Sequence, residues 1–210
     1  MKINSQIQLG DVLHNFSDEE IKNEPMFFRA TREFAYKNGG EPTKQFLDNL
    51  NVSEDILIDS RVHMLMKDWY PCIPGYHHDD VERSRHDGQP NYDNPSYRSK
   101  HALVLYNGII CPTEFAVGEC EFTTPNSHKI IYKEWHNEVE QKIASQELEL
   151  IKASNNQIVY FDDRTWHQGT KAIDRGFMLF IRATWNSGLA PKNEIRRQVQ
   201  VYMNNPMQGW

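Results

Sequence analysis

Cysteine is scarce, and its spacing is uninformative for pairing. Cys72, Cys111 and Cys120 are odd in number and form no Cys-x-x-Cys pair. That disfavours a disulfide framework and a thiolate zinc site, and a reducing cytoplasm is the expected compartment. Long apolar runs are also missing. No stretch approaches the roughly 18 residues of a membrane-spanning helix, and "MKINSQIQLGDVLHNF" at the N-terminus lacks the apolar run of a signal peptide. Positive charge is in short supply. A net charge of −6 argues against general nucleic-acid binding, which needs a broad basic face, but leaves room for a locally basic pocket. There is no internal repeat and no low-complexity segment.

What remains is an ordinary folded composition. The chain has 210 residues, 39% apolar and 25% charged, enough for one domain (1–210) with a substantial core. Five Trp, nine Tyr and ten Phe make that core, or a pocket in it, rich in rings.

Residues 1–52 read as a helical segment that braces a sheet. Ser17 and Glu20 form a capping-box pattern, and Pro25 suits the first turn of a second helix. In that helix, "PMFFRATREFAYKNGG", Phe27, Thr31 and Phe34 share a face, and Gly39-Gly40 ends it. "TKQFLDNL" reads as a third. From about residue 55 the pattern changes to short β-rich runs bounded by Gly, Pro, Asn and Asp: "DILIDS", "RVHMLMKDWY", "HALVLYNG", "EFAVGECEFT", "NQIVYFDD" and "FMLFIRATW", with "QVQVYM" near the end. One helix interrupts them, since Ile131, Trp135, Val139 and Ile143 recur every four residues in "IIYKEWHNEVEQKIASQ". The expected class is mainly β with flanking helices, a sandwich or small jelly roll.

Chemistry concentrates in "PGYHHDDV", residues 74–81, where two histidines abut two aspartates behind a Pro-Gly turn. These side chains suit either a metal site or a solvated loop. A metal site needs a further ligand from elsewhere, and His167 in "IVYFDDRTWHQGT" follows a convincing strand and a short polar turn. Beyond it runs an apolar strand carrying Arg182, a charge that is costly there unless it meets an anion.

This order of residues resembles the Fe(II)/2-oxoglutarate-dependent oxygenases, over roughly residues 60–185. The resemblance implies a double-stranded β-helix (jelly-roll or cupin-like) core over 55–190 and a His-x-Asp…His facial triad. Two imidazoles and one carboxylate on one face of iron leave positions for 2-oxoglutarate and dioxygen. Two frames fit the first motif, His77-x-Asp79 and His78-x-Asp80. The first is preferred because the family often has an aromatic residue before the ligand histidine, as Tyr76 is here; the losing pair is then expected to point outward. The implied ligands are His77, Asp79 and His167. Arg182, with Thr184 on the same face, is the implied anchor for the cosubstrate's far carboxylate by a charge-assisted pair. Arg175 is the alternative, although it reads as a solvated turn residue. His63 reads as a packed or surface histidine, and His86, His101, His128 and His136 lack a companion motif. The cofactors implied are Fe(II), 2-oxoglutarate as cosubstrate, and O2. Hydroxylation is the default outcome, and Asp79 argues against halogenation, which in this family needs a small residue at that position.

The polar stretch "ERSRHDGQPNYDNPSYRSK", residues 82–100, has no apolar period and leaves directly behind the cluster. A loop of this length suits a lid, with Arg83, Arg85, Asn91 and Tyr92 helping to select a small polar substrate. Trp69, Tyr70, Tyr76 and Trp166 flank the proposed ligands and suit either a pocket wall or the core. Two other functions remain open: a cupin-like metal-dependent hydrolase or isomerase, with His78 or Asp80 as base, and a non-catalytic jelly-roll binding protein.

Overall fold

The ten-residue strand Gly176–Trp185 organises the molecule, because its two faces serve two different cores. Leu179, Ile181, Ala183 and Trp185 pack on one side with the N-terminal helices. Met178 and Phe180 pack on the other, between the sheets. This is the period of two that an extended strand imposes. The structure, a computed structural model, describes residues 1–93, 95–123 and 131–203.

In chain order the strands are β1 (Lys2–Ser5), β2 (Ile7–Val12), β3 (Met26–Phe28), β4 (Ala30–Thr31), β5 (Leu57–Leu65), β6 (Lys100–Tyr106), β7 (Thr113–Glu121), β8 (Glu149–Lys152), β9 (Gln157–Asp162), β10 (Trp166–Gly169), β11 (Gly176–Trp185) and β12 (Glu194–Arg196). The helices are α1 (Asp18–Asn23), α2 (Arg32–Asn38), α3 (Glu41–Asp48) and α4 (Ile131–Ala144). A six-stranded sheet runs β2-β9-β6-β11-β5-β4, and a smaller one runs β1-β7-β10 with β8 on β7. Pairings within both are antiparallel. The fold is mainly β with a few helices.

Three cores give the layers. Ile21, Ala35, Phe46 and Leu47 from α1 to α3 meet Ile58, Val104, Ile158 and Ile181 on the outer face of the large sheet. Its inner face contributes Leu65, Leu103, Leu105, Val159 and Phe161, which meet Phe115 of β7. Behind the small sheet, Trp135 and Val139 of α4 pack on Ile3, Ala116 and Trp166. Each buried aromatic or aliphatic side chain contributes about 1.5–3 kcal/mol of transfer free energy.

Several expectations need correction. Residues 1–52 are not uniformly helical, since β1 and β2 precede α1. In β1, Ile3 and Ser5 are buried while Lys2 and Asn4 are exposed, a period of two that is stable only because β7 lies alongside. The Ser17–Glu20 capping box forms as expected. Pro25 starts no helix: residues 26–28 pair with β12, Arg29 takes a positive φ of 47°, and α2 begins later under a Thr31 cap. "DILIDS" and "RVHMLMKDWY" merge into the single strand β5 because no turn residue separates them. "QVQVYM" makes no strand; β12 lies before it, and Tyr202 makes one isolated bridge to Tyr70. In α4, Ile131, Trp135 and Val139 are buried as their spacing requires. His128 and Ile130 lie outside the described residues.

Candidate metal centre

The turn at Pro74-Gly75 delivers His77 to its partner. Gly75 has φ 112°, a conformation that side-chain-bearing residues rarely adopt. Two residues on, the His77 N–H donates to the His167 carbonyl (3.0 Å), and the His167 N–H donates back (3.3 Å). The bridge is antiparallel, so both rings project to the same side, with centroids 4.6 Å apart. His167 itself sits on β10, held by β7 opposite Phe115. It is the second residue of a short strand that follows β9 across a turn.

Both imidazoles are oriented from behind. His77 Nδ1 lies 2.8 Å from the Gly75 carbonyl and His167 Nδ1 2.9 Å from the Thr165 carbonyl. A carbonyl only accepts, so in each neutral ring the proton sits on Nδ1 and Nε2 presents a lone pair. The two Nε2 atoms converge on Asp79: His167 Nε2 is 3.2 Å from Oδ2 and His77 Nε2 is 3.7 Å from Oδ1. One ligand atom from each of the three residues lies within 4.8 Å of the others.

Burial pushes the His77 pKa down to about 4, with His167 adding to the effect. Burial opposes charge on Asp79 as well, but Arg182 and His167 more than offset it and hold the carboxyl well below the usual range. The result is two imidazole Nε2 atoms gathered around an ionised carboxylate. A divalent cation satisfies that donor set, and carbonyl-anchored histidines are the usual support for one.

His78 and Asp80 do not point outward as the sequence led us to expect. His78 stacks on Trp166 at 3.7 Å between centroids and its Nδ1 meets the Tyr92 hydroxyl at 2.8 Å, facing the core behind the small sheet. Asp80, at positive φ, turns its carboxylate to Arg182 Nη2 at 3.0 Å. Arg182 also contacts Asp79 through Nη1, while its buried Nε has no acceptor among the described residues. Burial alone would lower the Arg182 pKa, but Asp79, Asp80 and Asp59 together raise it. Thr184 is buried with its hydroxyl 3.0 Å from His101 Nδ1, and it does not line the cavity. Arg175 is exposed beside Asp174.

Two cavities meet at the triad. The inner one, about 140 Å³, lies between the sheets and is walled by Leu103, Leu105, Phe161, Met178, Phe180 and Arg182. The outer one, about 480 Å³, is walled by Arg196, Gln198, Gln200 and Tyr202. His77, Asp79, Arg61 and Cys72 line both. Burial lifts the Cys72 thiol to about 11, so it is a protonated wall residue. A Cβ on Gly169, two residues past His167, would stand 2.6 Å from its sulfur, so a larger residue there would have to displace the thiol.

The four loop residues expected to contact substrate line neither cavity. Arg83 bonds the Gly88 carbonyl, Arg85 pairs with Asp87, and Asn91 bonds Ser84. Tyr92 is anchored by His78 and by the Tyr132 hydroxyl, 3.0 Å away, so the middle of the loop is pinned to the core. Tyr76 and Trp166 are core residues of the same cluster. Arg61 also lines both cavities, although nothing in its immediate sequence marks it as a site residue. Only the wider pattern signals it: Asp59, Arg61 and His63 stand at every second position of β5, a polar face on an otherwise apolar strand. His63, expected to be packed or on the surface, is packed and lines the inner cavity.

No family model matches the chain, and no curated protein does. Among solved structures it is similar to iron-bound HygX from Streptomyces hygroscopicus, at 11% identity and TM-score 0.38, over 86% of this chain and 82% of that one. At that level the likeness carries no argument about chemistry, which rests on the side chains described above.

Proposed function

We propose that the protein is an Fe(II)/2-oxoglutarate-dependent oxygenase that hydroxylates a small polar substrate. The observation that carries this reading is the convergence of His77, Asp79 and His167 at the mouth of a cavity that also holds Arg182. On this reading the two facing sheets form a double-stranded β-helix, and the three triad residues hold iron. The chemistry such a centre supplies when iron is bound is activation of dioxygen coupled to conversion of 2-oxoglutarate into succinate and carbon dioxide.

The chain's own residues have separable tasks. The Gly75 and Thr165 carbonyls hold the two rings by Nδ1 and so keep the Nε2 atoms aimed at the metal position. Arg182, with an unsatisfied Nε–H, is placed to receive the far carboxylate of 2-oxoglutarate once Asp79 is engaged by metal; Asp80 steadies it from the other side. Leu103, Leu105, Phe161 and Phe180 keep the inner cavity dry. A hydrolytic reading needs a free base at the metal, and neither His78, turned into the aromatic core, nor Asp80, held by Arg182, is free for it.

The test is succinate release from 2-oxoglutarate by Fe(II)-loaded protein in air. The wild type should form succinate, and His167→Ala and Asp79→Ala should lose at least about 100-fold of that rate. A metal-loaded protein that forms no succinate with any of a panel of small polar substrates would remove the oxygenase reading.

A further inference from the structure

Three arginines surround the triad, and only two of them are spoken for. Arg182 is held by Asp79 and Asp80. Arg196 pairs with Asp59 at 2.7 Å and donates to the Phe27 carbonyl at 3.1 Å. Arg61 has no carboxylate partner among the described residues; its guanidinium lies 5.6 Å from the centre of the Phe180 ring. The carboxylate nearest in sequence on its own face, Asp59, is the one Arg196 has taken. Burial, followed by repulsion from Arg196 and Arg182, weighs against the charge of Arg61, and attraction to Asp59 and Asp79 offsets this only in part. A half-buried guanidinium with no ion-pair partner is costly unless an anion meets it.

Its position says which cavity that anion occupies. Arg61 stands where the inner and outer cavities join, across the register from Phe180, while Arg182 serves the inner one alone. The outer cavity has more than three times the volume and a different wall: the amides of Gln198 and Gln200, the Tyr202 ring, and apolar Ile73 and Val199. Two backbone hydrogen bonds between Tyr70 and Tyr202, 2.8 and 2.9 Å, hold that wall against the site. With Asp79 committed to a cation, Arg61 is the arginine of the outer cavity that forms no ion pair among the described residues.

We propose that the outer cavity binds the primary substrate, and that this substrate is a small carboxylate whose anionic end pairs with Arg61 while its polar remainder meets Gln198 and Gln200. A planar guanidinium favours a carboxylate held through two hydrogen bonds. The proposal rests on the oxygenase reading for the identity of the inner ligand, but the charge pairing can be tested without turnover.

Mn(II)-loaded protein is titrated calorimetrically with 2-oxoglutarate, and then, at saturation, with glutarate, a dicarboxylate that lacks the metal-chelating keto group. Wild type, Arg61→Gln, Arg61→Lys and Arg182→Gln are compared, with thermal unfolding confirming that each is folded. Arg61→Gln should weaken glutarate binding by about tenfold or more, with Arg61→Lys recovering part, while 2-oxoglutarate affinity stays within about threefold. Equal glutarate binding by wild type and Arg61→Gln, or no binding by either, would overturn the proposal. So would a loss of 2-oxoglutarate affinity in Arg61→Gln as large as in Arg182→Gln, which would make Arg61 a cosubstrate residue. If the wild type binds no 2-oxoglutarate, the oxygenase reading fails by itself. Glutarate titrated into Arg182→Gln with and without Arg61→Gln then still decides whether Arg61 is an anion site.

Discussion

At the scale of single residues, the centre is governed by where protons and counter-charges sit. The Gly75 and Thr165 carbonyls fix the imidazole tautomers, and Arg182 keeps Asp79 ionised despite its burial. Arg182→Ala should therefore raise the 2-oxoglutarate concentration needed for half-maximal turnover steeply, by the equivalent of about 3–5 kcal/mol, since a buried carboxylate would be left uncompensated. Arg175→Ala, at an exposed turn, should leave that requirement unchanged. Steady-state kinetics on the two variants reads the difference, and the opposite ranking would move the anchor to Arg175. The grouping of His77, Asp79 and His167 was legible because ligand-type residues stood two apart and then recurred after a strand. Arg61 was not, because its lack of a partner is a property of the folded neighbourhood: Asp59 lies two residues away and only the fold gives it to Arg196.

Among the elements, the small sheet and α4 hold His167 in place through Trp166. That ring packs edge-on to Trp135 at 5.4 Å between centroids, and face-on to His78. Trp135→Ala should cost about 3–5 kcal/mol in denaturant unfolding, as large-to-small changes at fully buried aromatics do. Tyr92→Phe should cost about 1 kcal/mol by removing the hydroxyl shared with His78 and Tyr132, whereas Arg83→Ala, at an exposed position, should stay within about 0.5 kcal/mol. Equal effects at Tyr92 and Arg83 would mean that the loop is not pinned as described. Elements with a local signature were legible from sequence: the capped α1, the four-residue period of α4, the apolar β11. Elements stabilised by distant partners were not. β1 and β10 are four residues each and exist as strands only against β7, and β3 needs β12 from far along the chain.

For the whole molecule, burying neutral histidines between two sheets couples stability to pH. Burial lowers both His63 and His77 to about 4, Arg61 adding to the effect at the first and His167 at the second. The unfolded chain takes up those protons near pH 6.5, and the folded chain does not until about 4. Stability from these groups is therefore fully present above pH 6.5 and lost as pH falls toward 4, up to roughly 3 kcal/mol for each. Urea midpoints for the protein in chelator should decline across that window, and His63→Gln should flatten the decline.

Anaerobic Fe(II) stoichiometry at equilibrium, on the wild type beside His77→Ala, His167→Ala and Asp80→Asn, decides which side chains hold the metal. Wild type and Asp80→Asn should each bind one Fe(II) per chain, and both histidine variants should lose binding with their folds intact. Retention of iron by His77→Ala and His167→Ala, or its loss in Asp80→Asn alone, would contradict the assignment of His77, Asp79 and His167 as the metal centre.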